Sequence, residues 1–126
     1  MVDDVKAYFR GYRQSDIARE VHEPENQRIV GFDAQGREII CWDTNNAFVE
    51  NWRTERVYDS KGSVVATRVY RGHLRFIRRP GKQSRFAGKF LYLEFYDRSP
   101  NGPRVSRFKP NGILERVDYF HRSMYK

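Results

Sequence analysis

Tyr58-Asp59-Ser60-Lys61-Gly62, followed directly by Ser63-Val64-Val65-Ala66-Thr67-Arg68-Val69-Tyr70, is the stretch that decides the fold. An Asp at a turn entrance bonds the backbone amides ahead of it, and a Gly two or three residues on supplies the positive φ that closes a hairpin. The run behind it is rich in β-branched residues, as a pleated, half-buried strand requires.

Two other stretches follow the same plan, an aromatic residue with glycine four positions later: Phe32-Asp33-Ala34-Gln35-Gly36 and Phe108-Lys109-Pro110-Asn111-Gly112. Each glycine precedes a strand-like run, namely Glu38 to Trp42, Ser63 to Tyr70 and Ile113 to Phe120. Pro80-Gly81 and Ser99-Pro100-Asn101-Gly102-Pro103 punctuate the chain in the same manner. These turns resemble the hairpins of YD-type and MORN-type repeats, a resemblance confined to the turns and carrying no function with it.

The most hydrophobic run, Lys89 to Asp97, holds Phe90, Leu91, Tyr92, Leu93, Phe95 and Tyr96. Apolar residues at both parities predict a central strand covered on both faces. Val5, Tyr8, Phe9 and Tyr12 recur at the spacing of one helical face, and Ser15 is placed to cap a second short helix from Asp16 to about Val21. Pro24 ends any helix. The expected fold class is therefore α+β. An N-terminal helical segment, residues 1–23, packs on a curved, mostly antiparallel sheet or small open barrel of about seven or eight strands, residues 27–121. The chain, residues 1–126, reads as a single domain.

Charge points to a partner. No acidic residue lies between Asp59 and Glu94, while nine basic ones do: Lys61, Arg68, Arg71, Arg75, Arg78, Arg79, Lys82, Arg85 and Lys89. The net charge is +8, so this window accounts for all of it, the remainder holding 15 basic against 16 acidic side chains. Solubility favours interspersed signs; a one-sign segment fits an anionic partner, of which a polyphosphate backbone is the commonest. The expected nucleic-acid-binding residues are Arg68, Arg71, Arg75, Arg78, Arg79, Lys82, Arg85 and Lys89, with Tyr70 and Tyr92 as platforms on which bases stack. Phe76 and Phe90 read as core, and Pro80 to Ser84 as a mobile cationic loop. The competing reading is an interaction or inhibitor module that docks the same basic face on an acidic partner protein. A charge-asymmetric chain, net −4 over residues 1–59, is also compatible with a homodimer.

Other classes find less support. Gln14 to Val21 resembles the first helix of a helix-turn-helix unit, but the segment after it, His22-Glu23-Pro24-Glu25-Asn26, would present glutamates to phosphates. His22, His73 and His121 lie in no metal-ligand spacing. Cys41 sits between Ile40 and Trp42 as a buried, inert thiol would. A nuclease pairing His73 with Asp59 or Glu94 is the one catalytic arrangement the residues allow on paper. The reading is thus a non-enzymatic protein with no cofactor and no metal. A lone Cys, no apolar run of membrane-spanning length and no signal-like start give a cytoplasmic expectation.

Overall fold

The computed structural model describes residues 3–43, 51–75 and 85–120. Eight strands run through them: β1 (Arg19–Glu23), β2 (Arg28–Phe32), β3 (Glu38–Asp43), β4 (Asn51–Tyr58), β5 (Val64–Arg75), β6 (Arg85–Ser99), β7 (Gly102–Phe108) and β8 (Leu114–Tyr119). They form one open sheet in which spatial order is chain order and every neighbouring pair is antiparallel.

The three aromatic-x-x-x-Gly turns close three of the hairpins in one geometry. Asp33 Oδ1 accepts the amides of Gln35 and Arg37 at 3.0 and 2.9 Å, and Asp59 Oδ1 accepts those of Lys61 and Ser63 at 2.9 and 3.0 Å. In the third turn Lys109 stands where the others have Asp, and Asn111 Oδ1 takes over by accepting the Ile113 amide at 3.0 Å. Gly62, at φ +86°, is typical of the closing glycines, and each turn is followed by a register shift in the ladder it joins. This is the three-residue hairpin with a glycine bulge, whose added twist suits a strongly curved sheet.

The α+β assignment is overturned. Residues 1–23 do not form a helical segment: a single α-turn (Asp3–Lys6) and two 3₁₀ turns (Ala7–Phe9 and Gln14–Asp16) interrupt an otherwise extended strap, and Arg19–Glu23 is strand β1. No helix among the described residues is longer than four residues, so the class is an all-antiparallel β-sheet. The expected helix from Asp16 to Val21 gives way because those residues pair with β2, Val21 opposite Val30. The 3₁₀ turn before it is capped by Asp16 Oδ2, which accepts the Arg13 amide at 2.7 Å. The helix-turn-helix resemblance falls with this helix.

The stripe of Val5, Tyr8, Phe9 and Tyr12 nevertheless faces the sheet. Val5 is buried, Tyr8 stacks on Phe95 at 5.8 Å between centroids, and Phe9 meets Phe90 and Phe108 edge-on at 6.1 Å. What prevents a helix is a competitor for its hydrogen bond. In an α-helix the Tyr12 amide would bond the Tyr8 carbonyl. Here that carbonyl accepts Arg68 Nη1 at 2.6 Å, and the Tyr12 amide donates to Glu55 Oε1 at 3.4 Å. Gly11 sits between them because only glycine fits, a Cβ there falling 2.7 Å from the Tyr70 hydroxyl.

Glu55 and Arg68 lie directly opposite each other on β4 and β5, in a row that crosses the whole sheet: Glu20, Gly31, Ile40, Glu55, Arg68, Leu93, Phe108, Leu114. Opposed residues share a face, so this row marks the face beneath the strap. On one side of the ion pair lies an apolar cluster of Ile17, Ile29, Ile39, Ile40 and Trp42. On the other lies Val5, Ala66, Leu93 and Phe108. The pair itself is 0% and 2% exposed, with Arg68 Nε donating to Glu55 Oε1 at 2.7 Å. The Tyr70 hydroxyl adds a third donor to the same oxygen at 3.1 Å, and Arg53 Nη2 pairs with Oε2.

Two outcomes are expected. Breaking a buried pair strands the surviving charge, so Arg68→Met should lower the unfolding free energy by about 3–5 kcal/mol in denaturant titration. Adding Glu55→Leu should recover part of that loss; a single-variant loss below about 1 kcal/mol would contradict the account. The second outcome concerns pH. Burial first, then the Glu55 charge, push the Tyr70 hydroxyl up from 10.0 to about 12. The folded chain therefore holds this proton where the unfolded chain has lost it, so Tyr70's contribution is complete below pH 10 and declines as pH rises towards 12. Tyr70→Phe should flatten the alkaline fall in stability, measured by urea unfolding across that window.

Candidate nucleic-acid interface

Strands β5 and β6 outlast their neighbours. β4 accompanies β5 only as far as Asn51 opposite Gly72, and β7 meets β6 only from Phe108 opposite Leu93. Among the described residues, β5 beyond Gly72 and β6 before Gly88 have only each other as partners, a two-stranded arm with Arg71 and Lys89 at its base. Val64–Arg75 is one strand of 12 residues that runs through Gly72.

The ribbon's ladder sets Arg71 opposite Lys89, Gly72 opposite Gly88, His73 opposite Ala87 and Arg75 opposite Arg85. Like charges directly across a ladder are destabilising, and this ribbon has two such positions with no acidic residue in either strand between 71 and 89. The body of the sheet is built differently. There Arg28 pairs with Glu23, Arg56 with Glu38, Arg104 with Asp97 and Arg107 with Glu94. Several arginines of the body thus have a carboxylate partner.

The ten residues expected to bind nucleic acid separate into groups. Arg71 and Lys89 are exposed at the base of the arm. Arg75 and Arg85 occupy opposed ladder positions at its outer end. Arg78, Arg79 and Lys82 lie outside the described residues, as do Phe76 and the Pro80 to Ser84 loop. Arg68 does not belong with them: it is buried, committed to Glu55 and the Tyr8 carbonyl, and its guanidinium lies 4.7 Å from the Tyr12 ring centre. Its sign matched the window, but its ladder partner is an acid.

Nor are Tyr70 and Tyr92 open platforms. Tyr70 packs on Phe90 at 5.2 Å and under Arg53 at 5.4 Å, with its hydroxyl turned to Glu55. Tyr92 carries the Arg107 guanidinium 3.9 Å from its ring centre. An exposed aromatic does lie beside these cations: Trp52, 41% exposed, is directly opposite Arg71, whose guanidinium lies 5.6 Å from the indole centre. Sequence reasoning passed it over. Its signal was its parity: on β4 it alternates with Arg53 and so points away from the face that holds Glu55. The row Trp52, Arg71, Lys89 thus joins an exposed indole to two cations.

The residues considered for catalysis stay apart. His73 and Glu94 are opposite Ala87 and Thr67, six positions apart along β5, or about 20 Å at strand rise. Asp59 is occupied by its turn, and Glu94 by Arg107. Burial pushes the Cys41 thiol up from 9.0, which leaves little thiolate at neutral pH. Among the described residues, no three His, Cys, Asp or Glu side chains converge as a metal site would require, and no helix is long and apolar enough to cross a membrane.

Comparison with known proteins returns no relative: no family model, no curated protein and no solved structure matches the chain.

The opposed cations carry a testable cost. Lys89→Glu converts the Arg71 position from a like-charge to an opposite-charge pair, and should raise stability by about 0.5–1 kcal/mol in thermal or denaturant unfolding. A destabilised variant would show that the ladder does not strain against its own charge.

Proposed function

We propose that this is a small, non-enzymatic nucleic-acid-binding protein that holds a phosphate backbone with its β5–β6 arm and has weak sequence preference. The observation that supports the reading is the pair of like-charge ladder positions between β5 and β6: Arg71 with Lys89, beside Trp52 of β4, and Arg75 with Arg85, past the described end of β4. Cations gathered on one pair of strands draw a polyphosphate by electrostatic attraction. A two-stranded ribbon also has the width that the major groove of B-DNA admits. Arginine supplies three of the four charges, and its planar fork suits phosphate oxygens. Trp52, beside Arg71 at the base of the ribbon, is the residue on which a base of a single strand would stack.

Fluorescence anisotropy with unrelated single-stranded DNA, duplex DNA and RNA, each over a range of salt, tests the proposal. Each neutralised phosphate contributes about −0.7 (single strand) to −0.9 (B-DNA) to the slope of log K against log salt. Replacing Arg71, Arg75, Arg85 and Lys89 together by Ala should flatten the slope by about 2.8 to 3.6 without unfolding the sheet. Trp52→Ala should weaken single-strand binding by ~1–3 kcal/mol and leave duplex binding nearly unchanged. A parent chain that binds none of the three polymers at low salt would overturn the reading and turn the search to acidic protein partners. Unchanged binding in the fourfold variant would remove the arm from the site.

A further inference from the structure

We propose that β8 is a self-association edge, where two copies of this chain join antiparallel around a twofold axis with Val117 opposite Val117 of the second copy. β8 is the last strand in the order, so its outer side has no strand beside it among the described residues. Exposed apolar side chains gather at that end of the sheet. Among the described residues five large hydrophobic residues are exposed, and three of them, Ile113 at 59%, Leu114 at 50% and Tyr119 at 42%, fall within residues 113–119. The opposite edge, β1, carries none of these exposed apolar residues.

The register follows from the ladder. The Phe120 amide donates to the Pro103 carbonyl at 2.9 Å, and the β7–β8 pairs step on from there with Arg104 opposite Tyr119 and Val105 opposite Asp118. In an antiparallel ladder inward bonding recurs at every second residue, so Arg116, Asp118 and Phe120 turn their amides and carbonyls towards β7. Val117 and Tyr119 therefore turn theirs outward, to the open edge. A shared sheet requires opposed residues to lie on the same face, so the twofold axis passes through a residue, and centring on Glu115 opposes two glutamates. Centring on Arg116 opposes two arginines, and centring on Asp118 opposes two aspartates. Centring on Val117 lets the two valines exchange both backbone bonds, and sets Arg116 of each copy opposite Asp118 of the other, twice. Those positions are a non-hydrogen-bonded pair, the closer kind, with Cα atoms about 4.5 Å apart. Arg116 Nε and Asp118 Oδ2 already lie 3.3 Å apart within one chain, each about half exposed, so the joined edge holds four alternating charges. The interface is isologous and closes at two copies.

Sedimentation of the pure chain over a wide concentration range should show mass rising from 15.1 kDa towards twice that value and no further. Arg116→Asp alone or Asp118→Arg alone places like charges across the axis, and should raise the dimer dissociation constant roughly tenfold or more. The combined swap restores opposite charges and should restore the dimer. In the unaltered chain, hydrogen exchange at the Val117 and Tyr119 amides should slow as concentration rises. A chain that stays monomeric throughout, or a dimer indifferent to both single variants, would overturn the proposal. So would growth beyond two copies, which means head-to-tail joining, or protection of both amides at every concentration, which means the chain covers its own edge.

Discussion

Everything on the covered face is organised around Glu55 and Arg68. The two side chains oppose each other in the middle of a buried row, where each would be costly alone. Their remaining hydrogen-bonding capacity is met by Tyr70, Arg53 and the strap's own backbone. That last contribution explains why the strap is not a helix. The carbonyl of Tyr8 and the amide of Tyr12, which would otherwise bond each other, are drawn to opposite members of the pair. The segment is opened like a zip and laid across the sheet, with Gly11 allowing the closest approach. Two apolar clusters on either side then hold it down.

The rest of the architecture is locally specified. Each strand pairs with its neighbours in sequence, and three of the described turns hold their own hydrogen bonds, so the meander needs no long-range crossover. Such a sheet has two free edges and permits some strands to outrun others. Among the described residues, β5 and β6 extend past β4 and β7, and β8 has a strand on one side. Charge is distributed accordingly. In the body arginines lie beside carboxylates, whereas β5 and β6 set Arg71 opposite Lys89 and Arg75 opposite Arg85.

The turns, and with them an antiparallel sheet, were legible in the residues, because Asp or Asn with Gly at fixed spacing specifies a hairpin without help from the rest of the chain. The one-sign window from Lys61 to Lys89 was legible for the same reason, being a property of composition. Three matters needed the tertiary structure. Helical spacing in Val5, Tyr8, Phe9 and Tyr12 records only which side chains face the core, and an extended strap with 3₁₀ turns satisfies it too; the choice fell to an ion pair more than forty residues away. Whether an arginine in the window is a ligand or a core residue depends on what stands across the ladder, Glu55 for Arg68 but Trp52 and Lys89 for Arg71. Which aromatic is open depends on strand parity and on cover by neighbouring cations, which closed Tyr92 and left Trp52 exposed. Local hydrogen bonding and composition were fixed along the chain; partners across the sheet were decided only by register.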